Sequence, residues 1–128
     1  MPNWLEKREA LFFHAELVAE YGGRPGPPRD NALESTLARP HNLLAYEPER
    51  NVFELAACYG FGFARNHCFP DGNKRIALVC MDIFLQLNGF ELTADEVEAV
   101  DVIRTLAAGE MSEADLALWL EANTRRLR

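Results

Sequence analysis

The run His67-Cys68-Phe69-Pro70-Asp71-Gly72-Asn73-Lys74-Arg75 concentrates the chemistry of this chain. It sets an imidazole, a carboxylate, a flexible glycine, an amide and two adjacent cations in one segment. The residues that follow, Ile76 to Leu87, are apolar enough for a buried helix, so the run falls at a helix N-terminus. Unpaired backbone N–H groups and the positive end of the helix dipole favour anions there. Lys74 and Arg75 are out of place at such an end unless an anion accompanies them. Asp71 could hold a Mg²⁺ ion that bridges phosphates, because one carboxylate with waters and phosphate oxygens is an ordinary Mg²⁺ site. His67, four residues before Asp71, could take a proton from an attacking hydroxyl. Gly72 would let backbone N–H groups approach a phosphate closely, and Asn73 adds an amide that tolerates turn geometry. The run therefore reads as a phosphate-handling site. His67 and Asp71 are its catalytic residues, Gly72, Asn73, Lys74 and Arg75 bind phosphate, and Asp71 is the metal-linked group.

Each residue also has a plainer reading. A lone His is more often structural, an Asp before a helix is often only a cap, and a Gly is often only a turn. Lys74 and Arg75 could be two solvated charges. Phe69 reads as the apolar anchor that pins the run to the core. Cys68 beside His67 could suggest a thiol nucleophile, but adjacent side chains usually point in different directions. His14 reads as a helix-face residue and His41 as a loop residue.

The elements that position the run are predicted to be helices. Trp4 to Glu20 carries Leu11, Ala15 and Val18 at helical spacing, with Phe12 and Phe13 widening the stripe. Residues 22–30 hold three prolines among glycines and form the clearest loop. Asp30 is the expected N-cap of a short helix ending before Pro40, with Leu33 and Leu37 on one face. Residues 41–50 read as irregular, with room for a small flap or hairpin near 41–49. Asn51 and Glu54 form a capping box for a helix through about Ala64, apolar nearly all round and therefore central. The helix after the run should span about Asn73 to Leu87 and stop at Asn88-Gly89. Thr93 with Glu96 should cap a helix ending at Gly109, and Ser112 should open the last one, with Leu116, Trp119, Leu120 and Leu127 inward. The basic tail Arg125-Arg126-Leu127-Arg128 suits a helix C-terminus.

Composition narrows the class. The chain has 128 residues, 48% of them hydrophobic, which suits one folded domain and argues against disorder. No apolar run approaches the roughly 18 residues of a membrane span, and no signal-peptide core follows Met1, so the expected setting is the cytoplasm. The net charge of −7 weighs against non-specific nucleic-acid binding. Against that background Arg65, Lys74 and Arg75 with the single acid Asp71 form a local basic patch suited to a nucleotide. The three cysteines, Cys58, Cys68 and Cys80, have neither disulfide-framework nor zinc spacing. Cys58 and Cys80 read as core thiols.

The run His-x-Phe-x-Asp-Gly-Asn-Lys-Arg resembles the signature of the Fic/Doc (Fido) superfamily, and Lys74 after Asn73 resembles its Doc, or death-on-curing, branch. Typical Fic nucleotidyltransferases carry Gly where Lys74 stands. They also carry a second Arg three residues past Arg75, where this chain has Leu78. Tyr21-Gly22-Gly23, Arg29-Asp30, Leu33-Glu34-Ser35, Ala38-Arg39-Pro40, Asn66, Phe84-Leu85 and Asn88-Gly89 extend the likeness over essentially the whole chain. The resemblance implies one compact, all-α Fido domain over residues 1–128, with a flap near 41–49 on the target-binding side. It implies a Doc-like toxin: a protein kinase that uses ATP and Mg²⁺ to phosphorylate a hydroxyl of a translation factor. Elongation factor Tu is the family precedent, and blocked translation is the outcome. The implied partner is a small, Phd-like antitoxin that folds on binding, with no direct nucleic-acid or membrane partner. Two other readings stand beside it. One is a Fic-type nucleotidyltransferase that adds AMP to a protein, disfavoured by Lys74 and the missing second Arg. The other is a catalytically silent Fido binding module, disfavoured by the intact His67, Asp71, Asn73, Lys74 and Arg75. Fic inhibition relies on a glutamate that pairs with the second Arg, so Leu78 points to inhibition by a separate protein. That protein would present an amphipathic segment to an apolar groove near the site.

Overall fold

A computed structural model describes residues 1–127; Arg128, the end of the basic tail, and the side chain of Asp30 lie outside the described residues. The elements run α1 (Lys7–Tyr21), α2 (Asp30–Tyr46), α3 (Val52–Arg65), α4 (Asn73–Leu87), β1 (Phe90–Leu92), α5 (Glu96–Ala107), α6 (Glu113–Ala122) and β2 (Thr124–Arg126). The mostly helical architecture expected from the sequence is the one observed.

The central pair is α3 and α4. Asn51 Oδ1 accepts from the Glu54 N–H at 2.9 Å and Glu54 Oε1 accepts from the Asn51 N–H at 3.1 Å, so the expected capping box starts α3. Leu55, Ala56, Tyr59 and Phe63 of α3 and Ile76, Cys80, Phe84 and Leu85 of α4 are buried together. Small residues bring the helices close. A Cβ on Gly60 would lie 2.2 Å from Met81 Sδ, and one on Gly62 would lie 2.8 Å from Thr36 Cγ2. Thus α4 packs against α3 at Gly60, and α2 at Gly62. Leu5, just ahead of α1, and Ala10, Leu33, Ile103, Leu106, Leu116 and Leu120 of the other helices complete the same core. All three cysteines are buried free thiols.

Several boundaries differ from the expected ones, each for a local reason. The second helix does not end before Pro40; it passes through that residue to Tyr46, so the flap or hairpin near 41–49 is a helix followed by a turn at 48–49. Proline removes one helical hydrogen bond and crowds the Thr36 carbonyl. Burial compensates: Pro40 is buried, Leu43 and Leu44 pack on the core, and His41 stacks on Trp4 at 3.9 Å. His41 is therefore a helix residue. Arg29, not Asp30, occupies the N-cap position of α2.

The first helix starts at Lys7 behind a Glu6–Glu9 capping box, and its buried positions are Ala10 and His14. Leu11, Leu17 and Val18 are half-buried, whereas Phe12 and Ala15 face outward. The fifth helix is capped by Asp95, whose carboxylate accepts from the Glu98 N–H at 3.0 Å, and not by Thr93. Thr93 instead donates its N–H to the Asn123 carbonyl at 2.7 Å, extending the ladder of the small sheet. In that sheet β1 pairs antiparallel with β2, Glu91 opposite Arg125, and the two side chains form an ion pair. Arg125 and Arg126 of the basic tail thus lie in a strand and not at a helix end, and Leu127 is exposed. Trp119 is only half-buried and donates to Glu98 Oε1 at 2.9 Å. Among the described residues no helix is long and apolar enough to cross a membrane.

Candidate active site at the start of α4

Residues 66–72 link α3 to α4, and every backbone carbonyl in this link has a hydrogen-bond donor. Asn73 accepts from the Phe69 N–H through Oδ1 at 3.0 Å and donates to the Phe69 carbonyl through Nδ2 at 2.9 Å. Both ends of its amide therefore close the loop on itself. Phe69 is buried, as an anchor should be, and stacks on His14 at 3.7 Å. His14 Nε2 lies 2.7 Å from the Asp71 carbonyl, which can only accept, so that nitrogen carries the proton. His14 is thus a buried support of the loop and not merely a helix-face residue.

The loop between α1 and α2 folds over the same segment. Arg24 Nη2 donates to the Pro70 carbonyl at 2.8 Å. The Arg29 N–H donates to the Cys68 carbonyl at 2.8 Å, and Arg29 Nε donates to the His67 carbonyl at 3.0 Å. Arg29 Nη2 also donates to the Asn66 carbonyl. These arginines were not singled out for a role by their residue types. The available signal was two cations spaced along a proline-stiffened loop of fixed shape.

His67 is exposed and sits at φ 48°, the only described non-glycine residue with positive φ. Left-handed backbone for a branched-ring residue costs of order 1–3 kcal/mol and persists only where its surroundings hold it. Asp71 accepts from the Arg24 N–H through Oδ2 at 3.1 Å and from the Gly72 N–H through Oδ1 at 2.9 Å. These two N–H groups, first Arg24 and then Gly72, hold its carboxyl below the usual carboxylate range. The carboxylate keeps lone pairs for another ligand, since each oxygen can accept more than once. Gly23 approaches so closely that a Cβ there would lie 3.0 Å from Asp71 Oδ2.

Gly72, at φ 79°, is the N-cap of α4. The first intrahelical bond is from the Ile76 N–H to the Gly72 carbonyl at 3.0 Å, which leaves the backbone N–H groups of residues 73–75 directed out of the helix end. Lys74 and Arg75 are exposed beside them, and the Arg75 guanidinium lies 5.0 Å from the Tyr21 ring centre. A cleft of about 840 Å³ brings His67, Asp71, Gly72, Asn73, Lys74 and Arg75 onto one lining. Leu78 lies on the same lining, and Glu96, Val100, Ile103 and Arg104 of α5 face it. All of the residues expected to carry chemistry therefore meet in one place. Arg104 adds a cation that a motif-based reading does not reach, because it is 29 residues beyond Arg75. Among the described residues no group of three or more His, Cys, Asp or Glu could hold a metal ion.

Cys68, although next to His67, points the other way into the core, and burial pushes its thiol up from the usual range. A buried neutral thiol is not a nucleophile.

A family model described as the Fic/DOC family matches residues 4–85, the stretch that includes α1 through most of α4. "Protein kinase doc" of Escherichia phage P1 is 34% identical over 113 residues, covering 88% of this chain and 89% of that protein. "Toxin Doc" of Mycolicibacterium smegmatis is 36% identical over 102 residues, covering 74% of this chain and 72% of that protein. The matched stretch supplies both loops that build the cleft, and the relatives extend the likeness over most of both chains: this protein belongs to the Fic/Doc family, in its Doc branch.

Proposed function

We propose that this chain is a Doc-like toxin that acts as an ATP-dependent protein phosphotransferase on a Ser or Thr hydroxyl of a Tu-type elongation factor and so inhibits translation. The observation that carries the reading is the shared lining of His67, Asp71 and the open N-terminus of α4 in a single cleft. The names of its relatives, a protein kinase and a toxin, support the same class. His67 takes the proton of the incoming hydroxyl. The hydroxyl oxygen bonds to the γ-phosphorus, the bond from that phosphorus to the β–γ bridging oxygen breaks, and ADP leaves. The α4 N–H groups with Lys74 and Arg75 neutralise the phosphate charge, so positioning and electrostatics supply the rate enhancement.

The donor set suits Mg²⁺ delivered with the nucleotide. Asp71 is an ionised carboxylate with free lone pairs, and Mg²⁺ is commonly held by one or two carboxylates plus phosphates and waters. When bound, the ion would be held by Asp71 and would offset the negative charge of the phosphates. Lys74 fills space that Gly leaves open in typical Fic enzymes, a physical reason for ATP to bind in an orientation that exposes its γ-phosphate. Leu78 gives an inhibitory glutamate no cationic partner. Inhibition is therefore assigned to a separate, Phd-like antitoxin that folds on the apolar wall formed by Leu78, Val100 and Ile103. Val97 and Val100, exposed at 77% and 44%, extend that wall outward along α5. The setting of the reaction is the cytoplasm, where ATP and elongation factors are found.

The deciding experiment incubates the purified chain with elongation factor Tu and ATP labelled at either the α or the γ phosphate. Label should reach the factor from γ-labelled ATP only. Transfer from α-labelled ATP would identify nucleotidylation instead, and no transfer from either would refute the assignment.

A further inference from the structure

Behind the left-handed His67 lies a buried polar chain that the phosphotransfer reading does not use. Thr36, on α2, is fully buried. Its Oγ1 accepts from Asn66 Nδ2 at 2.9 Å and lies 3.3 Å from Cys68 Sγ. Cys68 Sγ in turn donates to the Ala32 carbonyl at 3.6 Å, one helical turn before Thr36. The directions are then determined. The thiol proton is given to Ala32, so the Thr36 hydroxyl must donate to sulfur while accepting from Asn66. Only a hydroxyl both accepts and donates from a single atom. Burial keeps Cys68 a neutral thiol, which this sequence of donors requires.

Asn66 and Cys68 are the two residues that flank His67. Arg29 holds the carbonyls of this segment from the exposed side, whereas Thr36 holds the two flanking side chains from the buried side. Two fixed neighbours leave the residue between them little freedom in φ. We propose that Thr36 is a positioning residue for His67: by bridging Asn66 and Cys68 it keeps His67 in the left-handed conformation that presents its imidazole to the cleft. The inference rests on His67 as the proton acceptor of the proposed reaction.

The Thr36 methyl has a separate duty, since it fills the space against Gly62 where α2 meets α3. This allows hydroxyl and methyl to be tested apart. Thr36→Val keeps the shape and removes the hydroxyl; Thr36→Ser keeps the hydroxyl and removes the methyl. The full chain and both variants are examined in two ways. The three-bond HN–Hα coupling and the carbon shifts of His67 report its φ by NMR, and γ-labelled ATP with elongation factor Tu reports turnover. In Thr36→Val, His67 should leave the left-handed region. Its kcat should fall on the order of tenfold to a hundredfold, the penalty for a displaced reacting group, with an unchanged KM for ATP. Thr36→Ser should retain both the His67 signature and kcat despite a lower melting temperature. If Thr36→Val does not fold, Asn66→Ala, which removes one end of the bridge from a half-buried position, should show the same loss of the His67 signature. A His67 φ unchanged in Thr36→Val, or in Asn66→Ala where it stands in, overturns the inference. So does a Thr36→Ser variant that loses as much kcat as Thr36→Val. Absence of transfer by the wild-type chain would refute the proposed function alone, and the NMR comparison would still decide the role of Thr36.

Discussion

Replacing Arg29 by Ala should impair catalysis far more than folding. Two side-chain bonds are lost, from Nε to the His67 carbonyl and from Nη2 to the Asn66 carbonyl. Hydrogen bonds from a charged donor are worth about 1.5–3 kcal/mol when sheltered. Arg29 is exposed, so water replaces much of that and roughly 0.5–1 kcal/mol per bond remains. The total, about 1–2 kcal/mol, is comparable with the cost of holding His67 at φ 48°. Without the guanidinium, the loop should therefore spend most of its time relaxed. A change of that size reduces the competent population by a factor of about 5–30, and kcat with it. The Arg29 backbone N–H still donates to the Cys68 carbonyl in any variant other than proline, so the loop remains docked. The melting temperature should fall by only a few degrees. Arg29→Lys should not restore turnover, because an ammonium point charge cannot serve two carbonyls with the rigid fork of a guanidinium. The assay is transfer from γ-labelled ATP to elongation factor Tu, paired with a thermal melt. Wild-type turnover in Arg29→Ala, or full recovery in Arg29→Lys, would refute the clamp.

Further outcomes are expected. His67→Gly should abolish transfer yet leave stability equal to wild type or up to about 1 kcal/mol higher, since relief of left-handed strain slightly exceeds the entropic cost of glycine; a clear drop in denaturant midpoint would contradict this. Asp71→Asn should remove the Mg²⁺ dependence of ATP binding in calorimetry, and an unaltered dependence would reduce Asp71 to a cap. In the wild-type chain the Asp71 carboxyl is depressed in the fold, so its charged form is fully present above the ordinary carboxylate range and is lost only as pH falls through its lower folded value. Mg²⁺-dependent binding should accordingly persist into the ordinary carboxylate range on acid titration. Gly60→Ala should lower stability by about 1–3 kcal/mol through overpacking, because the new Cβ would meet Met81 Sδ at 2.2 Å; an unchanged melt would disprove that contact. Expressed alone, the chain should arrest growth, and co-expression of its genomic neighbour should restore it, whereas harmless accumulation of folded wild-type protein would count against the toxin assignment.

Local signals in the sequence were enough to locate the helices that bear the site. The Asn51–Glu54 box and the largely apolar character of α3 and α4 mark the start of α3 and the central place of both, because capping and burial patterns depend on residues close along the chain. The chemical run was equally legible, since His67 to Arg75 are contiguous and α4 must begin within them. Contacts made across long sequence separations were not legible. Pro40 reads locally as a helix end, yet burial of Pro40, Leu43 and Leu44 outweighs the lost hydrogen bond and carries α2 to Tyr46. Thr93 and Glu96 form a good capping pattern, but pairing of Thr93 with Asn123 moves the cap to Asp95. Residues 124–126 become a strand because β1 offers them a partner. The same division runs through the site. The sequence by itself determined which groups are present: an imidazole, a carboxylate, two cations and a helix end that attracts anions. Tertiary structure alone decided how they are aimed. His14, Arg24, Arg29 and Thr36 lie 30–57 residues from the groups they hold, and no periodicity encodes those bonds. Hydrogen bonds that strain one histidine into a left-handed turn exist only after the α1–α2 loop and α2 have packed over the link between α3 and α4.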